Sequence, residues 1–171
     1  MESFNHFSIP IQGLKDGVHP FEFQVDSVFF RLFEDSPIEK GHFTVQLSFD
    51  KRPDMIVLDF DLAGTVGTAC DRCLAAIQLP VKDQQQLIIK YGLEEKEEAE
   101  VIYIYRETSE FNVAKYIYEY ICLAMPMIKV YDCERENPRV CNEEVFKYLD
   151  QKEEEAPSEN PIWDQLKNLK E

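Results

Sequence analysis

Glycine and histidine are scarce in this chain, with six glycines and three histidines among 171 residues. The glycines form no phosphate-binding loop, and neither a Gly-x-Ser-x-Gly nor a His-Glu-x-x-His motif is present. None of His6, His19 and His42 has a metal-ligand or catalytic-triad spacing to a partner residue. These absences predict a protein that is not an enzyme and that takes no small-molecule substrate.

Long apolar runs are also missing. No run approaches the roughly 20 residues that a membrane-spanning helix requires. The opening residues, MESFNHFSIPIQG, lack the basic stretch and the long apolar stretch of a secretory signal. We therefore expect a cytoplasmic protein that does not bind membranes, in which the five cysteines stay reduced.

Basic residues are few relative to acidic ones. The chain has 18 Lys and Arg against 33 Asp and Glu, a formal net charge of −15. Residues 93–171 contain 20 acidic and 10 basic side chains, whereas residues 1–92 contain 13 and 8. Nucleic acid attracts basic surfaces, so this balance disfavours direct RNA binding and favours a basic protein partner. The alternative is that the acidity only maintains solubility.

The first half of the sequence is typical of β-strands. Two segments, HFSIPIQGL and HPFEFQV, flank the turn KDG and predict a hairpin. A short helix follows, which Asp26 or Ser27 can cap. Two long alternating strands then surround the turn DKRPD, where Asp59 and Asp61 should point to solvent. Strands resume with IQLPVKDQQQLIIKYG and EVIYIYR.

The second half is predicted to be helical. The segment SEFNVAKYIYEYICLAMP has apolar residues at helical spacing and ends at Pro126. A shorter helix, NEEVFKYLDQ, can be capped by Asn142. The predicted fold class is α+β, with a mostly antiparallel, curled, barrel-like sheet, a packed helix and a detachable C-terminal helix.

The end of the chain is predicted to be separate from the body. Residues 1–150 form a single α+β domain, residues 151–160 an acidic flexible linker, and residues 161–171 a short amphipathic helix. The apolar stripe of this helix consists of Ile162, Trp163, Leu166 and Leu169. The stripe could bind a groove on a partner or fold back onto this protein, and the sequence leaves both alternatives open.

The segment CDRC contains the one close cysteine pair, Cys70 and Cys73. A redox pair normally lies at the start of a helix, but this pair lies between two strands. Two thiolates are half of a tetrahedral zinc site, and Cys133 with Cys141 could supply the other half. Alternatively, the thiols are buried and structural. The sequence alone is therefore compatible with a zinc-stabilised protein-interaction scaffold, or less readily with a dithiol redox protein.

The segment GTVGTACDRCL resembles the signature of the YceD family, the large ribosomal RNA subunit accumulation proteins. Asp71, Arg72 and Leu74 complete this motif. Similarity extends to LKDGVHPFEFQVD upstream and to PIWDQLKNL near the end, whereas VYDCERENPRVC has fewer cysteines than the corresponding segment of many members.

The resemblance implies a non-enzymatic factor that supports accumulation or processing of large-subunit (23S) ribosomal RNA. Together with the charge, it implies a ribosomal protein or a ribosome-assembly factor as the partner. Direct contact with RNA and the presence of zinc stay open.

Overall fold

The structure is a computed structural model that describes residues 2–98, 101–130, 132, 140–145 and 147–148. A 3-10 turn, Glu2–Phe7, opens the chain. The strands and α-helices are β1 (Ser8–Pro10), β2 (Gly17–Val25), α1 (Ser27–Phe30), β3 (Lys40–Lys51), β4 (Met55–Ala69), β5 (Ala76–Tyr91), β6 (Lys96–Glu98), β7 (Val101–Ile104), β8 (Glu110–Asn112) and α2 (Ala114–Ala124).

Six of the strands form one open sheet. Their order is β2-β3-β4-β5-β7-β6, and every neighbouring pair is antiparallel except β5 and β7, which are parallel. The prediction of an α+β fold with a mostly antiparallel sheet is confirmed. The prediction of a barrel-like sheet is wrong, because β2 and β6 are edge strands that do not pair with each other.

Helices cover the apolar face of the sheet, which explains why the sheet does not need to close on itself. Phe30 of α1 contacts Phe43 of β3, with ring centroids 6.1 Å apart. Tyr120 of α2 contacts Phe60 of β4 at 5.2 Å. A sheet that buries its apolar side against helices satisfies the hydrophobic effect without curling into a barrel.

The predicted hairpin between the first two strands is wrong. β1 pairs instead with β8, in the register Ser8 with Asn112. The Asn112 amide donates hydrogen bonds to the Phe4 carbonyl at 2.7 Å and to Ser8 Oγ at 3.0 Å. This pairing places the buried Ile9 opposite Phe111 of β8, an arrangement that the local turn signal KDG does not encode.

The two long strands around DKRPD are confirmed as β3 and β4. Their inward-facing residues are almost completely buried: Phe43, Val45, Leu47, Phe49, Ile56, Leu58, Phe60 and Leu62. The alternating pattern therefore predicted correctly which face of each strand is in the core.

The predicted helix caps are present. Asp26, rather than Ser27, caps α1, since its Oδ1 accepts from the amides of Val28 at 2.8 Å and Phe29 at 3.2 Å. Asn142 Oδ1 accepts from the Glu144 amide at 3.2 Å, and residues 143–145 are helical.

The predicted linker, residues 151–160, and the predicted terminal helix, residues 161–171, lie outside the described residues. In the part of the chain that is described, no helix has the length and apolarity to span a bilayer.

Gly64 allows β3 and β4 to approach closely. A Cβ atom at this position would lie 2.2 Å from the His42 carbonyl oxygen and 2.5 Å from the Phe43 ring. We predict that Gly64→Ala lowers the free energy of unfolding by about 1–3 kcal/mol, because backbone and core must shift to accept the methyl group. Urea denaturation followed by circular dichroism measures this.

Gly13→Ala is the matched control, since a Cβ there would meet nothing closer than 3.9 Å. A Gly64→Ala variant as stable as Gly13→Ala would contradict the close packing described here.

Candidate functional site

The outer face of the sheet, opposite the core, is polar across β2 to β5. The strand register aligns its side chains in two neighbouring rows, which we call the polar sheet face. The rows consist of Glu22, Gln46, Asp61 and Gln84, and of Pro20, Ser48, Asp59 and Gln86. They line an open concavity of about 840 Å³.

Glutamine side chains orient the two aspartates of this face. Gln84 Nε2 donates a hydrogen bond to Asp61 Oδ2 at 3.2 Å, and Gln86 Nε2 donates to Asp59 Oδ1 at 2.7 Å. Each bond crosses from β5 to β4 and engages one oxygen of a carboxylate. The carboxylates are thereby held in place, and their second oxygens can accept hydrogen bonds from a ligand.

The carboxylates of the polar sheet face are not engaged in ion pairs with described residues. Among the described residues, no Lys or Arg forms an ion pair with Glu22, Asp59 or Asp61. Two cations of β5 are on this side: Lys82 lies in the row next to Asp61 and Gln84, and Lys90 lies farther along the strand, opposite Met55. Ordered acceptors that form no ion pair suit Lys and Arg side chains, which bring only donors.

The sequence alone did not reveal this site. It placed Asp59 and Asp61 toward solvent, but gave no reason to group them with Glu22 and the glutamines. The repeated glutamines QQQ in β5 were the available signal, since alternate members of that run share the face of the aspartates.

The cysteine pair lies in the loop of residues 70–75 that joins β4 to β5. The Cys70 amide donates to the Ala75 carbonyl at 2.8 Å, and the Leu74 amide donates to the Cys70 carbonyl at 2.8 Å. Cys70 and Cys73 are both 2% exposed and are part of the hydrophobic core. The backbone of this loop thus directs both thiols into the protein interior.

Asp71 connects the cysteine loop to the segment that follows α2. Its amide donates to the Lys129 carbonyl at 2.9 Å, and the Lys129 amide donates to Asp71 Oδ2 at 2.6 Å. The neighbouring motif residues Arg72 and Leu74 are exposed. Within the CDRC motif, the cysteines contribute to the core and Asp71 fixes an adjacent segment.

The four predicted zinc ligands are only partly placed by the structure. Cys70 and Cys73 are buried and form no disulfide bond, and Cys133 lies outside the described residues. Cys141 takes part in a disulfide bond, so the prediction that all five cysteines stay reduced is wrong. In the described part of the chain, no three metal-ligating side chains converge. A tetrahedral site needs four ligands, of which the cysteine loop offers two, so zinc binding stays a prediction.

The predicted partner-binding residues of the terminal stripe all lie outside the described residues. They are Ile162, Trp163, Leu166 and Leu169.

Comparison with protein families identifies the chain. The family model described as "Large ribosomal RNA subunit accumulation protein YceD" matches residues 58–170. The chain belongs to the YceD family. Membership indicates a role in large ribosomal RNA subunit accumulation. The match covers most of β4, the cysteine loop, β5 and α2, and it excludes residues 1–57. Searches of curated proteins and of solved structures gave no significant match.

Asp71→Ala should loosen the segment after α2, because the Lys129 amide loses its acceptor. We predict a loss of about 1 kcal/mol in the free energy of unfolding, and faster hydrogen exchange at the Lys129 amide. Exchange measured by NMR tests this, with Asp71→Asn retaining most protection because its amide oxygen still accepts. Unchanged exchange at Lys129 in Asp71→Ala would contradict the assigned contact.

The zinc prediction is tested by metal analysis of the native protein, purified under reducing conditions without chelator. If all four cysteines bind the metal, we expect about one equivalent of zinc, and Cys70→Ser and Cys73→Ser should each abolish it. A content far below one equivalent would remove zinc from the description of this protein.

Proposed function

We propose that this YceD-family protein supports accumulation or processing of large-subunit (23S) ribosomal RNA without catalysing a reaction, by binding a basic ribosomal protein or assembly factor. The polar sheet face is the proposed binding surface, and the proposed location is the cytoplasm. The observation that carries the proposal is the pair of glutamine-oriented carboxylates, Asp59 and Asp61, with no cation paired to them in the described part of the chain.

The geometry favours a protein partner because the oriented carboxylates of the polar sheet face can accept hydrogen bonds from long, flexible Lys and Arg side chains. Lys and Arg side chains carry several N–H donors and no acceptor. A carboxylate already hydrogen-bonded to glutamine loses little conformational freedom when such a donor arrives, which lowers the cost of binding.

The net charge supports the same choice. With a net charge of −15, the chain repels the phosphate backbone of RNA and attracts basic proteins. Screening by salt limits the range of both interactions. A role in ribosomal RNA accumulation then follows indirectly, since the protein would hold a component that itself binds the RNA.

Neutralising the two aspartates tests the proposal. The Asp59→Asn/Asp61→Asn variant should bind a purified mixture of large-subunit ribosomal proteins about tenfold more weakly, because two interface charges are lost. The proteins retained on the immobilised chain are identified by mass spectrometry at low and moderate salt. In cells, the same variant should lower the ratio of 23S to 16S ribosomal RNA.

The matched control is Asp54→Asn/Glu95→Gln, which removes two exposed acidic charges at other sites. An equal loss of binding in this control would show that only net charge matters and would contradict the assigned surface. Retention of free RNA without any ribosomal protein would contradict the proposed partner class.

A further inference from the structure

A group of large apolar side chains is exposed near the end of α2. Leu123 is 73% exposed, Met127 98%, Ile128 71% and Val130 45%, and Leu74 of the cysteine loop is 68% exposed. We call these five residues the apolar patch. Single exposed apolar residues are ordinary, but several in one neighbourhood mark a surface that binds something.

Hydrogen bonds hold the parts of the apolar patch near one another. The two bonds between Asp71 and Lys129 fix the cysteine loop against the segment that contains Met127, Ile128 and Val130. Leu123 is on the last turn of α2, whose buried residues Ile117 and Ile121 face the core. The side chains of the apolar patch are therefore exposed although the backbone beside them is held by hydrogen bonds and α2 is packed on the core.

We propose that residues 161–171 of the same chain cover the apolar patch with their stripe of Ile162, Trp163, Leu166 and Leu169. The stripe supplies the complementary surface, since its apolar residues recur at the spacing of one helix face. This inference does not rest on the proposed function, because it concerns a different surface of the protein.

Residues 149–160 connect the described part of the chain to the stripe. The last described residue is Tyr148, and Pro161 follows it by 13 positions. A random coil of 13 residues spans about 20 Å on average, and a fully extended chain of that length reaches about 45 Å. Such a connection keeps the stripe at a local concentration of roughly millimolar. Contact within the chain is thus favoured over contact with a dilute partner.

The family match spans both the patch and the stripe, while it excludes the first 57 residues.

The single tryptophan makes the test direct, because Trp163 is the only indole of the chain. In the full-length protein, Trp163 fluorescence should be shifted to the blue and protected from acrylamide. In Met127→Glu/Ile128→Glu, the emission should shift to the red, and the acrylamide quenching constant should rise severalfold. Both substituted residues are exposed, so circular dichroism should show an unchanged fold.

The control variant is Val18→Glu/Leu93→Glu, which places two glutamates on exposed apolar residues near the opposite end of the sheet. It should leave Trp163 protected. Four results would overturn the inference: Trp163 fully accessible in the unmodified protein, protection that the patch substitutions do not change, protection lost equally in the control, or protection that disappears on dilution. The last would assign the patch to a second copy of the chain.

Discussion

The structure depends on the burial of one face of a long antiparallel sheet. Apolar and polar side chains alternate along β3, β4 and the first part of β5, so each strand turns its apolar residues to the same side. Removing that side from water is the main favourable contribution to folding. The helices α1 and α2 and the amino-terminal segment are held where they are because they cover this face.

The same alternation creates the polar sheet face. When Phe60 and Leu62 enter the core, Asp59 and Asp61 are forced to the opposite side, where the register of β5 brings glutamines beside them. The surface proposed to bind a basic partner is therefore a direct consequence of core formation. Substitutions on this face should have little effect on the core, since its side chains contact neighbouring polar groups and solvent.

The cysteine loop is a second consequence of sheet geometry. It closes the hairpin between the two longest strands, and its thiols complete the core at that end. By binding Lys129, Asp71 also positions the apolar segment after α2. A motif that helps to recognise the family in sequence is thus a structural junction between the sheet, the helix and the proposed docking site of the chain terminus.

The local secondary structure could be predicted from the sequence alone. The alternation in β3 and β4, the caps Asp26 and Asn142 and the end of α2 before Pro126 depend on neighbours within a few positions, and such patterns can be read directly. Contacts between residues that are distant in the sequence were determined only by the tertiary structure. Despite the nearby turn signal KDG, β1 pairs with β8, and this pairing buries Ile9. The sheet stays open because helices such as α2 cover its apolar face. The alignment of Asp59 and Asp61 with Gln84 and Gln86 was likewise settled by strand register, which the folded core sets as a whole.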